Sequence, residues 1–180
     1  GAVRLALSRS LPQHQISRLF GWVAKRQRPR LLVRAWQHAF VQFAGVDMSE
    51  AAAPISHYHS LQELFIRELK ASVRRIDPDP HAIVSPVDGT MGQSGRVHQG
   101  TLLQVKGKTY KLVELLDDVP LSQAFENGFF ATFYLAPHDY HRIHAPAAGQ
   151  ITHAALIPGT LWPVFPYSQE NIEGLFVKNE

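Results

Sequence analysis

Three histidines lie close together in one segment of the chain, and histidine is the side chain best suited to move protons near neutral pH. They are His138, His141 and His144, within the sequence APHDYHRIHAP. In an extended segment His138 and His144 share a face and His141 points the opposite way. Pro137 and Pro146 flank the three and favour a loop over a helix. Loops at strand ends are a common place for catalytic groups.

Asp88, in the turn Ser85-Pro86-Val87-Asp88-Gly89, is the carboxylate that could act with these histidines. Residue types alone leave several interpretations open. The histidines and Asp139 could simply hydrogen-bond the loop. They could bind zinc, although the H-E-x-x-H helix of metallohydrolases is absent. A carboxylate-oriented histidine could instead activate a hydroxyl nucleophile. A non-catalytic, lipoyl-like binding module would need neither group.

The elements that must position these residues change in type along the chain. Apolar residues at helical spacing predict a helix around 16–23 and a second whose apolar stripe contains Leu32, Ala35, Trp36, Ala39, Phe40 and Phe43. The sequence Ser60-Leu61-Gln62-Glu63 has the form of a capping box. Asp77-Pro78-Asp79-Pro80 excludes helix and marks a boundary. Beyond it we expect one helical stretch, 112–125, and strands at 82–84, 89–97, 101–110, 129–135 and 150–157.

We therefore predict an α+β protein in two parts. Residues 1–76 form a helical, basic, membrane-associating region, and residues 77–180 form a β-rich catalytic core, a compact barrel or sandwich. P-x-x-G turns at Pro86 and Pro146 each lead into a predicted strand. They are either a chance recurrence or a pseudo-repeat of the kind that builds hammerhead barrels from two similar halves.

Charge is unevenly distributed along the chain. Residues 1–46 hold eight basic and no acidic residues, whereas the remainder holds ten basic and fifteen acidic residues. Basic, Trp-containing amphipathic helices are typical of segments that bind anionic membranes. Two helices that pack on a core and expose a basic face would show the same pattern. Nucleic acid is a less favoured partner, because no recognition-helix motif is present.

Two classes of structure are excluded by composition. The chain has no cysteine, which excludes disulfides and thiolate metal sites. Arginines interrupt the early apolar stretches, so that no run approaches the roughly 20 residues that span a bilayer. The apolar centre of the opening GAVRLALSRSLPQ is also too short for a signal peptide.

Several segments together resemble the phosphatidylserine decarboxylase family, most closely its bacterial membrane-bound branch. VSPVDGT at 84–90 and FYLAPHDYHRIHAPAAG at 133–149 carry the resemblance most clearly. The remaining similar segments occur in the family's order: YHSLQELFIRELKASVRRID at 58–77, LQVKGKTYKLVELL at 103–116, IPGTLWPVF at 157–165 and LFVKNE at 175–180. The resemblance covers nearly the whole chain.

This resemblance implies a self-processing carboxy-lyase that acts in phospholipid biosynthesis. Such a proenzyme cuts itself at the serine of an L-G-S-T motif, with Asp88 and His144 completing a triad. The new N-terminal pyruvoyl group forms a Schiff base with phosphatidylserine, which becomes phosphatidylethanolamine and carbon dioxide. His141 would serve the decarboxylation step with support from Tyr134, and no metal is implied. The residues expected near the lipid phosphate are Gly159, Leu161, Trp162 and Val164.

The resemblance also implies partners and a location. We expect phosphatidylserine in an anionic membrane surface, the protein's own C-terminal pyruvoyl-bearing chain and a second copy in a homodimer, with no nucleic acid. The protein would be peripheral, at the cytoplasmic face of the cell membrane. No L-G-S-T occurs in these 180 residues. We therefore expect the chain to be cut short and inactive by itself.

Overall fold

The computed structural model describes residues 13–103, 109–159, 164, 172 and 174–178. These residues contain six α-helices and four strands, so the predicted mixture of helix and sheet is confirmed. They pack as two compact units. Unit 1 comprises the described residues within Gly1–Leu19, Met91–Thr132 and His153–Glu180, and unit 2 those within Phe20–Thr90 and Phe133–Thr152. The functional boundary expected after residue 76 stays a prediction.

Unit 1 is organised around a short antiparallel hairpin. Strands β2 (Thr101–Leu103) and β3 (Thr109–Lys111) pair with Leu102 opposite Tyr110. The unit also contains most of strands β1 (Thr90–Arg96) and β4 (Phe129–Tyr134), which form the second two-stranded sheet. Alternate residues of a strand face the same side, so that the apolar residues on one face can be buried together. The buried core contains Val97, Leu102, Tyr110 and Leu112, with Leu115, Leu116, Phe130, Phe176 and Val177 packed against it.

Three helices of unit 1 complete this core. Helix α4 (Leu112–Leu116) follows β3 directly and ends at Asp117, whose positive φ of 50° stops the helix. The Asp118 side chain then accepts a hydrogen bond from the Leu121 N–H and caps helix α5 (Val119–Ala124). Helix α6 (Leu175–Lys178) is a single turn. The predicted helical stretch 112–125 is therefore two short helices.

Unit 2 begins with the end of helix α1 (Gln13–Ala24) and with helix α2 (Arg30–Ala44). Pro29 precedes α2 as its N-cap, and Gly45 ends it in the left-handed region with a φ of 75°. The helices lie where predicted, but the stripe of α2 is different. Val33 and Gln37 are buried, whereas Leu32 and Phe43 are exposed. A polar side chain is buried here because it has backbone partners to bind.

Gln37 is the buried polar residue of α2. Its Nε2 donates to the carbonyl of Tyr58 at 2.9 Å and to that of Ser60 at 3.0 Å, which ties α2 to the segment before helix α3 (Leu61–Phe65). A 3₁₀ turn, Ile55–His57, lies just upstream. The predicted cap is present in a shifted form: Ser60 accepts from the Glu63 N–H at 3.1 Å, and the Glu63 carboxylate accepts from the N–H of His59, one residue before the N-cap, at 2.7 Å.

Three β expectations are wrong or incomplete. Residues 82–84 and 150–157 are irregular: Val84 shares one backbone hydrogen bond with Pro146, and no strand pairs with 150–157 within the described residues. The run predicted at 101–110 is not one strand, because Thr101–Leu103 and Thr109–Lys111 are separate strands that pair with each other. The four described strands make two separate pairs, so the described part of the chain contains no closed barrel. None of the helices in this part is long and apolar enough to cross a bilayer.

Replacement of Gln37 by leucine should lower the free energy of unfolding by about 1–3 kcal/mol, because the Tyr58 carbonyl loses the amide that binds it and the Ser60 carbonyl keeps only the Leu64 N–H. Urea unfolding of the chain measures the change. Gln42→Leu is the matched control on the same helix, since Gln42 is exposed, and it should change the value by less than about 0.5 kcal/mol. Equal effects of the two substitutions would contradict the buried role of Gln37.

Candidate functional site

Two backbone hydrogen bonds bring the Asp88 turn and the histidine segment together within unit 2. The Val84 N–H donates to the carbonyl of Pro146, and the His144 N–H donates to that of Pro86, each at 2.8 Å. The partners shift in opposite directions along the two segments, which is the relation found in an antiparallel ladder. Segments 84–86 and 144–146 are therefore paired, although they are too short to count as strands.

The two prolines explain why this pairing stays irregular. A regular antiparallel pair exchanges two hydrogen bonds between opposite residues. Pro86 and Pro146 have no N–H, so each pair keeps one bond and lacks the reciprocal one. The first residue of each P-x-x-G turn noted in the sequence thus lies in the paired segments. In this pairing His144 lies opposite Pro86, which is two residues before Asp88.

Asp88 and His144 line the same cavity, which has a volume of about 610 Å³. Segment 84–88, together with Tyr140, His144 and Ala145, supplies one part of its lining. The part that precedes them in sequence, 69–76, contributes three cations: Lys70, Arg74 and Arg75. Because the lining carries these cations against one carboxylate, the cavity favours an anionic ligand.

The carboxylate of Asp88 is held by Arg74. Nε and Nη2 of Arg74 both donate to Oδ2 of Asp88, the first at 2.8 Å. The same guanidinium donates to both carboxylate oxygens of Glu50, at 3.1 and 2.9 Å. These hydrogen bonds, led by that to Asp88, raise the pKa of Arg74 above its ordinary value. Oδ1 of Asp88 makes no hydrogen bond within the described residues, and it can accept a further donor.

His144 binds a different partner. Its Nε2 lies 3.1 Å from the hydroxyl of Tyr140, and the two rings stack with centroids 5.5 Å apart. Tyr140 is itself buried. The contact fixes the orientation of the imidazole. Asp88 and His144 share the cavity, but no hydrogen bond joins them in the part of the chain that the structure describes.

His141 is not among the cavity-lining residues. Its ring packs on Phe65, the last residue of α3, with ring centroids 3.9 Å apart. Its Nδ1 lies 3.0 Å from the carbonyl oxygen of Asp139. A carbonyl oxygen can only accept, so Nδ1 must carry a proton, and in the neutral ring the lone pair is on Nε2. His141 and His144 therefore have different surroundings, as expected if the segment is extended rather than helical.

Tyr134 ends β4, with its side chain partly exposed, and its backbone limits what can follow Asp88. A Cβ placed on Gly89 would lie 2.7 Å from the carbonyl oxygen of Tyr134. Glycine is thus required by this close approach. The glycine of the matching turn, Gly149, has no atom within 4 Å of such a Cβ. The two turns are alike in sequence and different in packing.

The remaining predicted residues fall elsewhere. Gly159 and Val164 are half-buried in unit 1. Leu161 and Trp162 lie outside the described residues. His138 and Asp139 belong to the loop itself: Asp139 accepts from the Ala136 N–H at 2.6 Å and lies 3.5 Å from His138. No group of three or more potential ligands is placed to hold a metal within the described residues.

Sequence reasoning missed Arg74 and Tyr140. Arg74 lies in the resembling segment 58–77, but nothing in its spacing pointed to Asp88 or Glu50. Tyr140 lies four residues before His144 in the histidine segment. A search for hydrogen-bonding side chains near each histidine would have included it.

Gly89→Ala should destabilise the protein by about 1–3 kcal/mol, because the methyl group would overlap a main-chain oxygen. Gly149→Ala, the matched change in the other turn, should stay within about 0.5 kcal/mol of the parent. Thermal or urea unfolding of both variants tests the difference. Equal stabilities would show that the approach of Gly89 to Tyr134 does not constrain the turn.

Comparison with known proteins identifies a family and several relatives with similar sequences. A family model described as phosphatidylserine decarboxylase matches residues 61–180. A phosphatidylserine decarboxylase proenzyme of Acinetobacter baumannii is 42% identical over 171 residues, 94% of this chain and 60% of that protein. The proenzyme of Anaeromyxobacter sp. (strain K) is 41% identical, over 96% of this chain and 61% of its own.

A third relative extends the comparison. The phosphatidylserine decarboxylase proenzyme of Myxococcus xanthus is 40% identical over 176 residues, which are 98% of this chain and 63% of that protein. The chain thus spans about three fifths of the length of these curated relatives. On the family match and the identities together, the chain belongs to the phosphatidylserine decarboxylase family.

Proposed function

We propose that the protein acts as a phosphatidylserine decarboxylase, made as a proenzyme that cuts its own chain and then releases carbon dioxide from phosphatidylserine. One observation carries the proposal: Asp88 and His144 line one cavity, and the paired segments 84–86 and 144–146 hold them there. The names of the relatives support the same reaction and the proenzyme state. They do not favour a metal-dependent hydrolase or a non-catalytic binding module.

His144 is the base in this proposal. The Tyr140 hydroxyl can donate to Nε2, which leaves Nδ1–H to be received by the free Oδ1 of Asp88. A serine hydroxyl that enters the cavity replaces Tyr140 at Nε2 and gives its proton to His144. The serine oxygen then attacks the preceding peptide carbonyl, the peptide C–N bond breaks, and the departing nitrogen takes the proton back from His144. Arg74 can stay on Oδ2 of Asp88 throughout, because the two contacts use different oxygens.

A pyruvoyl group formed from that serine fits the residues present. The cavity has room for it and for a lipid headgroup, and the cations Lys70, Arg74 and Arg75 suit a substrate with a carboxylate and a phosphate. When bound, the group supplies an electron sink for the departing carboxylate, as pyridoxal phosphate does in other enzymes. Asp88 and His144 would flank it.

His141 is the proposed residue for the decarboxylation step. Because its Nδ1–H is donated to Asp139, Nε2 is the atom that can hold or deliver a proton. Tyr134 is proposed to support this step through its phenol. The turn with Gly159, Leu161, Trp162 and Val164 is proposed to contact the lipid phosphate through backbone N–H groups.

Exposed apolar side chains on α1 and α2 support a membrane-binding role for the N-terminal region. Within unit 2, Phe43 is 92% exposed and Leu31 84% exposed. Phe20, Trp22 and Leu32 are also exposed, and the Arg26 guanidinium lies 3.6 Å over the Trp22 ring. The neighbouring side chains are basic. Such a mixture suits insertion among anionic headgroups.

The proposal extends to partners and location. The whole protein would carry a hammerhead-like β core and would bind its own C-terminal, pyruvoyl-bearing chain. It would form a homodimer and would lie peripherally on the cytoplasmic face of the cell membrane, where phosphatidylserine is its partner and substrate. Nucleic acid has no place in this reaction.

In the full-length proenzyme, Asp88→Ala and His144→Ala should each abolish self-cleavage, because the serine then has no oriented base. His141→Ala should still cleave but should lose carbon dioxide release. A denaturing gel and a carbon dioxide assay separate the two effects. His81→Ala is the control, since His81 is exposed and does not line the cavity.

Two results would contradict the proposal. An uncut parent protein with metal-dependent activity would favour a hydrolase. Blocked cleavage in His141→Ala would contradict the division of roles between the two histidines.

Vesicle binding tests the membrane proposal. The full-length protein should sediment with phosphatidylserine-containing vesicles, and added salt should weaken binding because exposed charges are screened. Leu31→Ser with Phe43→Ser should lower binding about ten-fold or more, since two large side chains no longer enter the bilayer. Val119→Ser, an exposed apolar residue of α5, is the matched control. Unchanged binding in the double variant would contradict this role for α2.

A further inference from the structure

Arg67 is almost completely buried, with 3% of its surface exposed. Burial lowers its pKa from the ordinary value. A buried guanidinium is costly unless its N–H groups are bound, and this one binds main-chain carbonyls rather than a carboxylate. Nη2 donates to the carbonyl of His138 at 2.8 Å, and Nη1 reaches that of Asp139 at 3.5 Å. Nε has no partner within the described residues. The Arg67 side chain therefore holds the histidine loop in position through these carbonyls.

Asp139 passes that constraint to His141. The carbonyl oxygen of Asp139 is the acceptor for Nδ1–H of His141. The rest of Asp139 is fixed as well, because its N–H donates to the Ala136 carbonyl at 2.9 Å and its carboxylate accepts from the Ala136 N–H. The carbonyl that sets the tautomer of His141 thus lies in a rigid turn that Arg67 anchors.

The segment that supplies Arg67 also supplies the ring beneath His141. Phe65 packs on the imidazole, and Phe40 of α2 packs on Phe65 with centroids 6.0 Å apart. The end of α3 and the residues just after it therefore hold His141 in two ways: by ring contact through Phe65, and by hydrogen bonding through Arg67 and the Asp139 carbonyl.

We propose that Arg67 is a positioning residue for His141: by anchoring the carbonyls of His138 and Asp139, it fixes the imidazole with its proton on Nδ1 and its lone pair on Nε2. The inference rests on the proposed function, in which His141 serves decarboxylation. It assigns a reason for a buried arginine without a carboxylate partner. Orienting partners of this kind control which nitrogen of a histidine is available.

Arg142 provides a matched control on the same pair of segments. Its Nε donates to the Ile66 carbonyl and its Nη1 to Glu68, each at 2.8 Å. Arg142 therefore also ties the loop to the segment after α3, but it does not bind the carbonyl that receives His141. A general loss of loop packing would affect Arg67 and Arg142 variants alike, whereas the positioning role is specific to Arg67.

The test uses the full-length protein labelled with ¹⁵N in its histidines, at mildly alkaline pH. The signal of His141 is identified by its loss in His141→Gln. The parent and Arg142→Gln should show a protonated Nδ1 and an unprotonated Nε2. Arg67→Gln and Arg67→Lys should show a mixture of tautomers. Both Arg67 variants should still cleave themselves, and kcat for carbon dioxide release should fall about ten-fold or more with little change in KM.

Several outcomes overturn the inference. The inference is wrong if His141 of the parent protein carries its proton on Nε2, and this result needs no variant. Folded Arg67→Lys with the parent tautomer and parent kcat overturns it as well, and this variant decides the matter if Arg67→Gln fails to fold. Equal effects in Arg142→Gln would reduce Arg67 to a packing role. A parent protein that neither cleaves itself nor releases carbon dioxide would instead contradict the proposed function. The tautomer of His141 could still be measured in that protein.

Discussion

Two hydrogen bonds between segments 84–86 and 144–146 determine the geometry of the candidate site. Without them, Asp88 and His144 would belong to two unrelated loops. The bonds are main-chain bonds, so the pairing places the two side chains independently of their chemistry, and Arg74 and Tyr140 can then orient each of them. The prolines limit the pairing to two bonds, and they keep this part of the unit a turn-and-cavity structure rather than a sheet.

The pairing of Asp88 with His144 at one cavity could be predicted from residue types and from the family resemblance, whereas the residues that hold each of them could not. Asp88 and His144 were expected to cooperate, and they line one cavity. Arg74 and Arg67 could not be found in this way, because a hydrogen bond to a distant carboxylate or carbonyl leaves no periodic mark on the sequence. Contacts across more than 70 residues, such as that of Arg67 with His138, depend on the whole fold.

Local signals predicted the helices well, and they predicted the sheets less well. Ser60 and Glu63 cap α3 because their partners lie within four residues. Strand formation at 150–157 depended on a distant edge that composition cannot reveal. The face of α2 was misassigned for a related reason. Hydrophobicity alone places Phe43 inside and Gln37 outside, but the buried Gln37 amide is stabilised by hydrogen bonds to two carbonyls. The exposed Phe43 side chain is then available for the proposed contact with the bilayer.

The two arginines differ in the partners that hold them and in their exposure to solvent. Arg67 is buried and is anchored to main-chain carbonyl oxygens, which carry no net charge. Arg74 is partly exposed and bridges the carboxylates of Glu50 and Asp88. Dissolved ions screen exposed charge pairs much more than buried contacts. High ionic strength therefore weakens the carboxylate bridge at the cavity and leaves the anchor of the histidine loop in place.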